Sequence, residues 1–257
     1  MARLTFDDHC AQIVAQTELL HATITGADLT VRVPSCPEWN LVQLLRHLGG
    51  GQHWAAEVVR TRATAPPDDR YFRDLSPDPG GFSPAWLLEN AASLAAALRE
   101  AGPDAGMWTP VPGGTAAFFA RRFAHETLVH RADATLAVGA PLSVEESVAV
   151  DALDEWLELG SLPIMFEFHP RQRELLGPGR TIHLHATDAP GAEWLIDLTG
   201  DVITWRRAHE KAAVAVRAPL TDLVMIVYRR VPVTAPGVAV FGDRDLLDFW
   251  LDRVAFG

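Results

Sequence analysis

The sequence predicts an α+β chain: an N-terminal four-helix bundle followed by a small α/β domain with a mainly antiparallel sheet. Three observations carry this. Apolar residues recur at helical spacing through the first part of the chain, as in Leu41, Leu44, Leu45 and Leu48 at i, i+3, i+4 and i+7. Alternation of apolar and polar residues, the mark of a half-buried strand, begins only at Thr181-Ile-His-Leu-His-Ala-Thr. Between the two lies a breaker-rich stretch at 163–179 that reads as a linker. The expected domains are therefore 1–162, the bundle, and 163–257.

Taken in order, the first helix is expected near 4–24, with Leu4, Ile13, Leu19 and Leu20 among alanines and glutamines. The two prolines of Val33-Pro-Ser-Cys-Pro37 forbid helix there and separate it from the second. Ser83-Pro84, a cap followed by proline at the first helical position, opens the third, which runs to Gly102-Pro103. The fourth starts after Gly113-Gly-Thr115 and is closed by Gly139. A proline-rich crossover near 62–82 joins the second helix to the third. A fifth helix, capped by Ser143 with Glu146 three residues on, leads out of the bundle to about Leu159. Beyond Thr181, strands are expected at Glu193–Thr199, Val202–Arg206, Ala212–Val216 and Val238–Phe241, and helices at Pro219–Tyr228 and Asp243–Val254.

Composition limits the function. Of 257 residues, 22 are Lys or Arg and 33 Asp or Glu, a net charge of −11. So acidic a surface repels phosphate backbones and anionic headgroups, which argues against nucleic acid and membrane surfaces as partners. Two cysteines, Cys10 and Cys36, are too few for a disulfide framework and read as reduced thiols. The first residues lack the apolar core of a signal peptide, and no apolar run approaches the ~20 residues of a membrane span. The expected location is cytoplasmic; the oligomeric state is left open.

The chemistry-bearing segment is Arg121-Arg-Phe-Ala-His-Glu-Thr-Leu-Val-His-Arg-Ala-Asp133. Glu126 and His130 are four residues apart, about 40° around a helix, and share a face that can offer two ligands to one divalent metal. The same spacing fits a solvated helix pair. His125 points elsewhere, which excludes the His-Glu-x-x-His arrangement of metalloproteases. A third ligand must come from a facing helix, and His47 is the best candidate, beside the apolar stripe and just ahead of Gly49-Gly-Gly51. Three glycines inside a helix cost about 1 kcal/mol each relative to alanine and argue for a close approach or space for a ligand. His, Glu and His would leave a coordination position open, as catalytic zinc does. His183 and His185 share a strand face and could form a second metal pair, but a solvated strand face is the favoured reading. There is no phosphate loop, dinucleotide fingerprint or nucleophile elbow.

Val33-Pro-Ser-Cys-Pro-Glu-Trp-Asn-Leu-Val-Gln-Leu-Leu-Arg-His47-Leu-Gly-Gly resembles the Cys-Pro-x-Trp…His-Leu-Gly signature of the mycothiol-dependent maleylpyruvate isomerase family, within the DinB-like metalloenzymes. The segment around Glu126 and His130 resembles that family's second metal-binding helix. The resemblance implies a DinB-like bundle holding a divalent metal, usually zinc, on His47, Glu126 and His130. It implies mycothiol as thiol cosubstrate and a small electrophile as substrate. It also implies an arginine that helps hold the anionic substrate. The stretch matching the family's Trp-Gly-Arg is Tyr228-Arg-Arg230, which puts that role on Arg230 and leaves Arg229 where glycine is usual. Cis-trans isomerisation and thiol transfer share the activated thiol and are not separable here. A non-catalytic metal-binding or regulatory member and a metal-dependent hydrolase are the competing readings.

Overall fold

The structure, a computed structural model, describes residues 3–68 and 75–254. They fall into two compact units, Leu4–Leu142 and a second made of Ser143–Gly257 with Met1–Arg3.

The first unit is the four-helix bundle: α1 (Phe6–Ile24), α2 (Leu41–Thr61), α3 (Pro84–Ala101) and α4 (Ala116–Val138). A two-stranded antiparallel hairpin, β1 (Arg32–Val33) and β2 (Cys36–Asn40), fills the connection between α1 and α2 and contains the double-proline turn. The helix ends follow local chemistry. Thr5 and Asp8 form a capping box on α1, and Asn40 and Gln43 form another on α2, each satisfying otherwise orphaned N–H groups. Gly139 closes α4 in the left-handed conformation. Of the crossover between α2 and α3, residues 69–74 lie outside those described.

Leu44, Leu45 and Leu48 of the predicted stripe pack with Leu20, Ile24, Leu87 and Ala134, all buried. A polar tie runs through this apolar interior: fully buried Gln52 on α2 donates to Thr17 Oγ1 on α1 and Thr127 Oγ1 on α4, each at 3.2 Å. These two bonds fix the register of α2 against both neighbours, and Thr127 adjoins Glu126. Cys10 is buried, Cys36 partly so, and neither is in a disulfide.

Gly49 supports the expectation of a close approach. A Cβ there would lie 2.2 Å from the Trp86 indole of α3. Gly49→Ala should therefore destabilise the bundle by about 1–2 kcal/mol in urea unfolding, because overpacking outweighs the propensity gain. An equally stable or more stable variant would show that the indole yields freely.

The second unit carries a five-stranded sheet in the order β5-β4-β3-β6-β7. Its strands are β3 (Thr181–Ala186), β4 (Glu193–Asp197), β5 (Thr204–Arg207), β6 (Val214–Ala218) and β7 (Ala239–Gly242). Only the β3–β6 pairing is parallel; the other three are antiparallel, as expected. Helices α7 (Leu220–Val227) and α8 (Arg244–Arg253) occupy the expected places.

Two details depart from expectation. Helix α5 (Glu146–Gly160) begins after Glu145, not at a Ser143 cap, and belongs to this unit, so the units divide ahead of residue 162. The reason is its side chains. Trp156 stacks edge-on against Trp250 and Tyr228, with centroids 5.4 and 6.5 Å away. Asp154 accepts from Trp194 Nε1 at 2.8 Å and pairs with Arg207 at 2.8 Å, which anchors α5 to β4 and β5. The stretch expected as linker is also folded: α6 (Met165–Phe168) leads into a 3₁₀ turn at Pro170–Leu175. Gln172 and Leu175 are buried there, and Arg253 of α8 pairs with Glu174 at 2.8 Å. Its prolines begin turns that pack, so breaker content does not amount to looseness. No helix among the described residues is long and apolar enough to cross a membrane.

Candidate metal centre

The bundle brings His47, Glu126 and His130 together: one donor atom from each lies within 4.8 Å of the others. Glu126 Oε1 is 3.0 Å from His130 Nε2, and Glu126 Oε2 is 3.4 Å from Arg122 Nη2. The His47 ring meets His130 edge-on with centroids 5.1 Å apart, and Trp39 of the hairpin covers it at 5.0 Å. His130 is buried; His47 and Glu126 are partly exposed, so the cluster opens to solvent on one side.

Behind His130 stands a group the sequence reading passed over. Asp133 is fully buried, and its Oδ2 lies 2.9 Å from His130 Nδ1. Its Oδ1 accepts a hydrogen bond from Ser35 Oγ at 2.5 Å, a contact between the hairpin turn and α4. The carboxylate, which also accepts from a hydroxyl, accepts a hydrogen bond from Nδ1–H of His130 and so turns Nε2 toward Glu126 and His47. Ligating histidines are commonly oriented by such a carboxylate. The signal was present as an i, i+3 spacing on α4; Ser35, 98 residues away in sequence, gave none. Glu126, His130 and Asp133 fall within about 60° around α4, so one helix carries both donors and the orienting carboxylate.

The electrostatics follow from this packing. Burial, reinforced by His130, pushes the His47 imidazole down to about 4 and keeps it neutral, the form that donates to a metal. Burial also opposes charge on His130, but the bonds to Asp133 and Glu126 outweigh it and raise that imidazole to about 9. Burial opposes ionisation of Glu126 too; the bond from His130, with Arg122 nearby, overcomes it and holds the carboxyl well below its usual range. Two nitrogens and a carboxylate oxygen, converging with an oriented donor and an open side, suit a divalent metal of the zinc type. His125 turns away, as its spacing requires, to meet His9 at 6.0 Å. His53 Nδ1 lies 3.2 Å from Asn90 Oδ1 and takes no part.

Comparison with known families rests on both units. Residues 10–135 match the family model described as "Mycothiol maleylpyruvate isomerase N-terminal domain", and residues 147–249 match "MDMPI C-terminal domain". The chain belongs to the mycothiol maleylpyruvate isomerase family. No curated protein matches the sequence. Among solved structures it is similar to the mycothiol-dependent maleylpyruvate isomerase, at TM-score 0.60 and 15% identity, covering 93% of this chain and 95% of that one. A histidine-to-alanine mutant of that enzyme gives TM-score 0.57 and 16% identity over the same shares. At such identity the likeness shows the fold, a DinB-like bundle joined to a small α/β unit.

Arg230 lies in the second unit. It lines a cavity of about 310 Å³ with Arg229, Arg244, Asp248 and the apolar Ile226 and Leu251, and its Nη1 donates to the Tyr228 carbonyl at 2.6 Å. Arg229, at the family's glycine position, has φ +64°, the left-handed region that glycine enters freely. For other residues this costs roughly 1–2 kcal/mol, partly offset by the greater chain entropy that glycine loses. Arg229→Gly should therefore raise stability by about 0.5–1 kcal/mol; a loss in urea unfolding would mean the guanidinium holds this segment.

Proposed function

We propose that this protein is a thiol-dependent metalloenzyme in which His47, Glu126 and His130 hold a divalent metal, zinc by preference, and mycothiol supplies the thiol. The supporting observation is that these side chains converge, with Asp133 orienting His130, in a chain of the mycothiol maleylpyruvate isomerase family. A divalent metal bound there would lower the pKa of an incoming thiol and favour the nucleophilic thiolate.

The protein's own residues do the rest. Asp133, braced by Ser35, fixes the ring plane of His130. Arg122 and His130 hold Glu126 ionised, and Gln52 keeps α2, with His47, in register with α4. The open side of the cluster admits sulfur. In the isomerase reading, the thiolate adds to the electron-poor double bond of maleylpyruvate, the resulting single bond rotates, and expulsion of the thiol returns the trans isomer. Arg230 is assigned to the substrate's carboxylate, for which a guanidinium is well shaped. A second reading, thiol transfer to another small electrophile, uses the same centre and differs only in the substrate's fate. Dependence on a low-molecular-weight thiol fits a cytoplasmic setting.

Maleylpyruvate absorbance with and without mycothiol tests this. Conversion that requires both thiol and metal supports the isomerase; stoichiometric consumption of thiol with another electrophile supports the transferase. Activity that ignores thiol would overturn the thiol mechanism in favour of a hydrolase. Arg230→Ala should raise KM about tenfold or more while metal content stays unchanged, as expected for loss of a charged substrate contact.

A further inference from the structure

The sheet of the second unit carries another cluster, unused by the proposed reaction. β3 places His183 and His185 on one face, and β4 sets Glu193 directly across from His185 on the same face. β5 ends at Arg207, and His209 returns to the cluster two residues later. His209 Nδ1, His185 Nδ1 and His183 Nε2 lie 2.6, 2.9 and 3.0 Å from a single atom, Glu193 Oε2. The three rings form a nearly equilateral triangle with centroids 5.8–5.9 Å apart. One donor atom from each of the four residues lies within 4.8 Å of all the others.

A solvated strand face does not account for this. His183 is only 6% exposed, and its Nε2 lies 3.0 Å from the same Oε2 that His185 and His209 also approach. Its ring also has a hydrogen bond to the backbone of Ala208, an arrangement that orients metal-ligating histidines. One carboxylate oxygen carries two lone pairs and cannot satisfy three imidazoles. A cation among the four donors would satisfy all of them. Three imidazole nitrogens and one carboxylate oxygen suit zinc, copper, nickel or cobalt, and not calcium or magnesium.

We propose that His183, His185, Glu193 and His209 form a second site for a divalent transition metal, independent of the bundle centre. Four protein donors complete a tetrahedral shell, so the site is structural and leaves no position for substrate. Bonds of about 2.1 Å need donors about 3.4 Å apart, so an ion entering the cluster would push Glu193 Oε2 back from the imidazole nitrogens, now 2.6–3.0 Å away, by a few tenths of an ångström. The metal would pin residues 208–213, which belong to no strand, onto β3 and β4.

The test is titration of the metal-free 257-residue chain with zinc(II) against a chromophoric chelator. The wild type should take up two equivalents. His209→Gln, at a side chain 78% exposed, and Glu193→Gln should each retain the native circular dichroism. Each should weaken one equivalent by more than about 100-fold, beyond the effect of losing a merely supporting group. Glu126→Ala should lose only the other equivalent. A wild type binding one equivalent that His209→Gln retains would overturn the proposal, as would a second equivalent that survives both sheet variants. A single equivalent lost in His209→Gln but kept in Glu126→Ala would uphold this site and sink the bundle assignment.

Discussion

His47→Ala and Glu126→Ala are each expected to remove one equivalent of metal and to lower thiol-dependent turnover by about 10³-fold or more. The size follows from the several kcal/mol that a bound metal contributes at the reacting group, each 1.36 kcal/mol being tenfold in rate. Both positions are partly exposed on regular helices whose caps and apolar faces lie elsewhere, so the variants should fold. Elemental analysis of purified protein, beside circular dichroism, checks the outcome. If metal content is the same in wild type and both variants, the bundle does not hold the catalytic metal and the proposed mechanism fails.

Asp133→Ala should have the second largest effect, although Asp133 donates to no metal in the proposal. Removing it leaves the buried Nδ1–H of His130 without its acceptor and Ser35 Oγ without its partner. Loss of such an orienting carboxylate weakens metal binding about 10–100-fold, and the orphaned donor costs about 1–3 kcal/mol of stability. Asp133→Asn should fall between, because an amide oxygen can still accept from Nδ1–H while the Ser35 hydroxyl turns to accept from the amide. Chelator competition and urea unfolding measure the two quantities. Unchanged metal affinity in Asp133→Ala, at whatever stability, would mean that the aspartate only fills the core.

Much of the architecture was legible because it is written in local chemistry. The stripe Leu41–Leu48, the Ser83-Pro84 start and Gly139 placed the bundle helices, and alternation placed β3. The pairing of Glu126 with His130 on α4 was legible from one spacing, and the approach of His47 from its helix together with the family resemblance. What stayed hidden depends on contacts distant in sequence. The apolar face of α5 does not say which partner it covers; Trp156 against Trp250 and Asp154 against Arg207 decide that only in three dimensions. His183 and His185 were visible as a pair, but Glu193 joins them through strand register, and His209 through the course of the chain after β5. Ser35 reaches Asp133 only once the hairpin has closed.

In the proposed centre Glu126, His130 and Asp133 ride on one rod and His47 on another, so the spacing of α2 from α4 would tune the fit of a bound ion. Gln52 and the apolar contacts of Leu44, Leu48 and Ala134 act as the gauge block for that gap. Trimming or enlarging one of these side chains would shift which ion fits best without altering any ligand. Preference among metals could thus drift through ordinary repacking of the interior, long before any coordinating residue changed.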